Sequence, residues 1–186
     1  MEGHYLGVPL VFIGMVLILN AAWLQGKVDT RDVGIFNLLV GILGAMSALY
    51  FGWAQSNFSL AAGAMLFAMT YLWVGINAVR GATDQRALGG YCLLVTFLTI
   101  PYAIKAYQGG DLGWAFEWIS YGILWYLFYQ LLAKGKAGLT GITVTMTYFV
   151  GIEVLITGWA YLYGYWPFGN MWPFSTALTA TGLIAG

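Results

Sequence analysis

Six long apolar runs, at about residues 5–24, 33–53, 58–79, 87–104, 112–132 and 139–163, divide the chain, and polar residues collect in the short gaps between them. A helix needs roughly 20 apolar residues to cross the hydrocarbon core of a bilayer, so the pattern predicts six transmembrane helices. The gaps near 26–32, 55–57 and 108–111 are too short to fold on their own. Of the seven Lys and Arg residues, six occupy alternate gaps: Lys27 and Arg31 in the first, Arg80 and Arg86 in the third, Lys134 and Lys136 in the fifth, with Lys105 as the exception. Basic residues in short loops stay on the cytoplasmic side. Gaps one, three and five are therefore expected in the cytoplasm, and both termini outside. The first run has no basic n-region, follows Glu2, and meets its first positive charge only at Lys27, so it is expected to be a retained helix, not a cleaved leader.

Composition agrees with an all-α integral membrane protein: 61% of the 186 residues are hydrophobic, 8% are charged, and mean hydropathy is +0.78. With a formal net charge of zero and no basic cluster larger than a pair, nucleic acid is not an expected partner. His4 is the single histidine and Cys92 the single cysteine. One chain therefore cannot assemble a His/Cys metal site, a haem-ligand pair or a Cys–His nucleophile. No glycine-rich phosphate loop precedes a helix, and Lys105 lies near a helix end, not at mid-membrane where retinal would need a lysine. No enzyme activity, cofactor or metal is expected.

The spans nevertheless contain polar chemistry. Glu117 lies about one turn into the fifth run, where a snorkelling or capping acid is the expected role. Glu153 is deeper. A carboxyl near mid-bilayer costs about 2.5–3.5 kcal/mol on insertion scales, so it is expected to face a cavity or an internal partner. Asn20, Asn37 and Asn77 lie in or at the ends of spans and are expected to point inward, because an unsatisfied amide in lipid is costly. Trp114, Trp118, Tyr121, Trp125 and Tyr129 follow steps of four, three, four and four, which places them on one face of the fifth helix. Met69, Trp73 and Asn77 recur at steps of four on the third helix, and Leu17 and Asn20 share a face of the first. Trp and Tyr favour membrane interfaces, but Tyr121 and Trp125 lie nearer mid-depth. A bundle interior of flat rings, a few amides and one carboxyl suits a small, planar, uncharged solute. It would not compensate an ion for its lost hydration.

The stretches GMVLILN at 14–20, NLLVG at 37–41, TYLWVGIN at 70–77, TIP at 99–101, WISYGILW at 118–125 and GIE at 151–153 resemble the AmiS/UreI family of bacterial urea and short-chain amide channels, in order and over about residues 10–163. The resemblance implies a six-helix protomer built from two inverted three-helix halves, in a homohexameric ring whose centre is closed by lipid, with one solute pathway through each protomer. It places an aromatic constriction on Met69, Trp73, Trp118, Tyr121 and Trp125, and Asn20 and Glu153 near the pathway. By their shared faces, Leu17 is expected to line it beside Asn20, and Asn77 to support it. Tyr121 stands where the gastric members carry Trp, and Met69 where they carry Phe, which implies a wider or more adaptable slot that could admit acetamide-sized solutes.

The expected function is a passive channel for urea or small aliphatic amides, in the bacterial cytoplasmic membrane, supplying a cytoplasmic urease or amidase. Acid gating is not expected, because the outer gaps are short and lack histidine. Two rivals remain open: a proton-coupled carrier using Glu153, and a non-conducting membrane scaffold. Residues 1–163 form the expected channel domain, and residues 164–186 an outer aromatic, proline-broken tail.

Overall fold

A computed structural model describes residues 4–166; the expectations for most of the tail, and for the side chain of His4, lie outside the described residues. The chain forms six helices: α1 (His4–Leu24), α2 (Thr30–Trp53), α3 (Phe58–Val79), α4 (Arg86–Gln108), α5 (Leu112–Leu132) and α6 (Thr140–Leu162), with a 3-10 turn at Ala137–Leu139. Their ends are marked in the sequence. The Asp29 side chain accepts from the backbone N–H groups of Arg31 and Asp32 at the start of α2, Asn57 accepts from Leu60 N–H in α3, and Asp111 from Trp114 N–H in α5. Each satisfies a backbone donor that the helix itself cannot. Gly26, Gly81, Gly110, Gly135 and Gly164 follow the other ends with left-handed φ, the conformation that closes a helix terminus with least strain when no Cβ is present.

By length and mean hydropathy five of the six helices could cross a membrane unaided. The departure from the expected six is α5. Its Glu117, Ser120 and Gln130 and its Trp and Tyr residues lower its hydropathy, and much of that polar and aromatic surface is buried against neighbouring helices. Helix α4 also runs further than its apolar run implied, past Ile104 to Gln108, which brings Lys105 into its last turn.

Consecutive helices touch, and α6 returns to α1, closing a ring in chain order. Packing around the ring alternates. Pairs α1–α6, α2–α3 and α4–α5 are intimate, while α1–α2, α3–α4 and α5–α6 touch more sparsely. Exchanging the expected halves, α1–α3 for α4–α6, would turn each intimate seam into a sparse one. The packing therefore displays three pairs where two matched halves were expected. Glycines explain the seams, since small residues let helix backbones approach without hydrophobic help from water. A Cβ at Gly158 would lie 2.6 Å from Val11 N, one at Gly14 would lie 2.6 Å from Leu155 N, and one at Gly75 would lie 2.7 Å from Gly34 O.

Candidate functional site

The ring encloses two cavities placed end to end. One, of about 420 Å³, reaches the ends of α1, α3 and α5, and its lining includes Asn20, Trp23, Thr70, Gln85 and Trp125. The other, of about 520 Å³, opens towards the α2–α3 and α4–α5 connections, where Asn57, Lys105 and Asp111 line it beside Tyr102 and Trp118. The residues common to both linings are Phe67 of α3 and Tyr121 of α5. These two side chains form a neck.

Helix periodicity builds that neck. The α5 steps stack Trp118, Tyr121 and Trp125 along one face, and Phe67 lies across all three. Its ring centroid is 5.0 Å from Tyr121 at 88°, 4.7 Å from Trp125 and 6.1 Å from Trp118. Edge-to-face contact directs the positive edge of one ring at the negative face of the other. Gly63, one turn before Phe67, makes room: a Cβ there would lie 3.2 Å from the Trp118 ring. On its other side Trp118 stacks on Tyr102 at 4.2 Å and 18°, and Tyr102 donates its hydroxyl to Ser59 O at 2.9 Å.

Hydrogen bonds fix the rings from behind. Trp125 Nε1–H donates to Thr70 Oγ1 at 3.3 Å. The Tyr121 hydroxyl donates to Glu117, whose other carboxyl oxygen accepts from the Thr157 hydroxyl on α6. The Ser120 hydroxyl reaches both Phe116 O at 2.8 Å and Glu153 Oε1 at 3.2 Å. Asn20 and Asn37 form a reciprocal amide pair, with Asn37 Nδ2 donating at 2.7 Å and Asn20 Nδ2 at 3.1 Å. Asn37 also donates to Val33 O. This satisfies most of the amides' capacity while leaving Asn20 on the cavity wall.

The structure brings together Leu17, Asn20 and Trp125 around the first cavity and Trp118 beside the second, with Tyr121 between them. Met69 and Trp73 are corrections. Met69 is 45% exposed on the outside of the bundle, and Trp73 packs against Tyr91 at 5.9 Å; neither lines a cavity. The stripe through 69 and 73 is rotated by about 200° from the one through 67 and 71, and the latter faces inward. Phe67 is thus the cavity-lining residue that the α3 reading misses, although Gly63, Phe67 and Tyr71 repeat at the same steps of four. Glu117 is the third correction. The expected snorkelling or capping acid is only 1% exposed, because it lies on the α6-facing side of α5 where Thr157 covers it.

Glu153 and Asn77 lie behind the walls. Glu153 is 8% exposed and its Oε2 has no hydrogen-bond partner among the described residues. Asn77 donates to Gln85 Oε1 at 2.7 Å, and Gln85 Nε2 in turn donates to Ala82 O, tying the α3–α4 connection to the end of α3. On the exposed side of the same connection, Arg86 hydrogen-bonds Asp84 and holds its carboxyl down at about 2. Among the described residues no group of three or more His, Cys, Asp or Glu side chains could hold a metal.

Comparison with known proteins gives a consistent set of similarities. The sequence profile of the AmiS/UreI family transporter matches residues 5–165. A putative amidate substrates transporter protein of Mycolicibacterium smegmatis is 31% identical over 138 residues, which is 72% of this chain and 64% of that one. The chain therefore spans just under two thirds of that relative's length. An acid-activated urea channel of Helicobacter pylori is 28% identical over 64% of this chain and 78% of its own. Two structures of the Helicobacter pylori urea channel superpose with TM-scores of 0.77 and 0.76, at 27% and 28% identity, each covering 87% of this chain and 99% of the channel.

Proposed function

The chain belongs to the AmiS/UreI family of transporters, and from that premise we propose that it is a passive channel for urea and small aliphatic amides. The observation that carries this reading is the pair of cavities meeting at one aromatic neck inside a closed helix ring. A solute entering at Lys105 and Asp111 sheds part of its water among aromatic faces, passes Phe67 and Tyr121, and regains hydrogen bonds at Asn20 and Thr70. Flat rings accommodate a planar amide or urea by stacking, while an ion finds no ring of charge or carbonyls to replace its hydration shell. No bond is made or broken.

The alternating basic gaps support placement in the bacterial cytoplasmic membrane with the 420 Å³ cavity facing inward. The apolar outer faces of α2 and α6, with Leu39, Met46, Ile152 and Trp159 exposed, suit contact with lipid and with further copies of the chain in a homohexamer whose centre is filled by lipid. A cytoplasmic urease or amidase would consume what enters. Glu153 and Asn77 support the wall without touching the solute.

One observation favours a second reading: the unpartnered oxygen of Glu153 is a group that a proton-coupled carrier could use. Flux of labelled urea and acetamide into proteoliposomes, with and without an imposed proton gradient, separates the readings. A passive channel equilibrates solute at a rate indifferent to the gradient. Accumulation above the external concentration driven by the gradient would overturn that assignment, and absence of flux above protein-free vesicles would leave only a scaffold.

A further inference from the structure

The hydroxyl of Tyr121 would be the one polar group at the neck, yet it is turned away from the pathway. Tyr121 is 1% exposed, as is Glu117. Glu117 lies one turn earlier on the same face of α5, lines neither cavity, and accepts the Tyr121 hydroxyl proton on one oxygen and the Thr157 hydroxyl proton on the other. The carboxyl is thus anchored to α6 and holds a ring of α5. Phe67 and Trp125 then pack on the ring in the orientation this anchor sets, Tyr121 and Trp125 lying at 85°.

We propose that Glu117, anchored by Thr157, is the specificity-determining positioning residue of the channel: it pins Tyr121 across the neck with its hydroxyl in the wall, so that the narrowest point presents only carbon and selects by cross-section. The proposal rests on the passive-channel reading. A free hydroxyl at the neck would do two things that a pinned one does not. It would offer a hydrogen bond where the solute is least hydrated, and it would let the ring rotate about its side-chain bonds, since a buried donor without a partner is costly and moves to find one. Both weaken discrimination by size. Glu117 touches no solute and acts only through Tyr121.

The test is the ratio of propionamide to urea flux in proteoliposomes of the full-length protein, because a ratio does not depend on how much protein has assembled. One methylene in a fitted apolar slot is worth roughly 10- to 200-fold in discrimination, which sets the scale. Glu117→Leu should raise the ratio by roughly tenfold, part of that range. Glu117→Gln should keep the parental ratio, since its amide can accept from Thr157 and donate to the Tyr121 oxygen. The double variant Glu117→Leu/Tyr121→Phe should return towards the parental ratio, because no buried hydroxyl is then left to seek a partner at the neck, while the Thr157 hydroxyl can turn to a carbonyl one turn back on α6. Thr157→Val, a near-isosteric change that loosens the anchor alone, should shift the ratio in the direction of Glu117→Leu and supplies the reading if that variant does not assemble. Parental ratios in Glu117→Leu and Thr157→Val, alongside parental urea flux, would overturn the pin while leaving the channel intact. A shifted ratio that Tyr121→Phe fails to rescue would overturn the route through Tyr121. A parent that conducts neither solute would overturn the channel reading, and this inference with it.

Discussion

Trp125 and Glu153 sit on neighbouring helices, one in a cavity wall and one bonded to Ser120 behind it, and the difference in role is measurable one residue at a time. Trp125 lines a cavity and contacts Phe67, so Trp125→Ala should widen the inner side of the neck and increase acetamide flux relative to urea. A buried aromatic-to-Ala change costs about 3–5 kcal/mol in soluble cores. Assembly must therefore be followed by size-exclusion chromatography of the same preparation, and unchanged selectivity in assembled protein would remove Trp125 from the pathway. Glu153→Gln keeps an acceptor for Ser120 and should retain urea flux within a few-fold of the parent, whereas a carrier that moves protons on this carboxyl would lose gradient-driven accumulation. At this scale the sequence is legible on α5 and half legible on α3. A run of five aromatics leaves one face to choose on α5, but α3 offers Met69–Trp73 and Phe67–Tyr71 at equal spacing, and periodicity alone does not say which stripe turns inward. The burial of Glu117 is not legible for a related reason. Depth along a helix can be counted from its start, but the neighbour that covers it, here Thr157, is set by tertiary packing.

Helices pair here through glycine, and the pairs differ in what they tolerate. At Gly158 an added Cβ would meet α1 backbone at 2.6 Å, which no side-chain rotation relieves. Gly158→Leu should therefore separate α1 from α6 and cost at least the roughly 1–3 kcal/mol of ordinary overpacking. Gly90, with nothing within 4 Å of an added Cβ, should accept Ala with little change. A thermal-aggregation series in detergent would rank them, and equal midpoints for both variants would contradict the seam. Element boundaries were largely legible, because apolar runs, Asx caps and glycine stops are local signals. The extension of α4 past Ile104 to Gln108 was not, since polar residues at a span's end continue a helix without continuing an apolar run. Nor was the three-pair packing, which depends on which glycine faces which backbone.

For the whole molecule, the number and order of helices could be read from the spacing of apolar runs and polar gaps, and the ring they close could not. No described lining residue of either cavity is a histidine, and the sequence contains only His4. Urea flux should therefore change little between about pH 7.5 and pH 5, the window in which an unperturbed histidine near 6.5 titrates. The Asp84–Arg86 pair does not intrude. Its carboxyl is lowered from 3.8 to about 2 by hydrogen bonding to Arg86, so the pairing is fully present above the ordinary value and is lost only as pH falls through the lowered one. Stopped-flow light scattering at both pH values checks this, and a steep rise on acidification that His4→Ala abolishes would place a gate at the terminus. The seam between α1 and α6 also has a consequence in time. Synthesis runs from α1 to α6, so the helix made first waits for the helix made last before its glycines are covered, and birth order opposes closure order. The connection Ala133–Leu139 then matters less than the seam it precedes: a chain cut after residue 136 and co-expressed with residues 137–186 should find its missing stave in trans and recover urea flux, while the longer fragment alone is degraded.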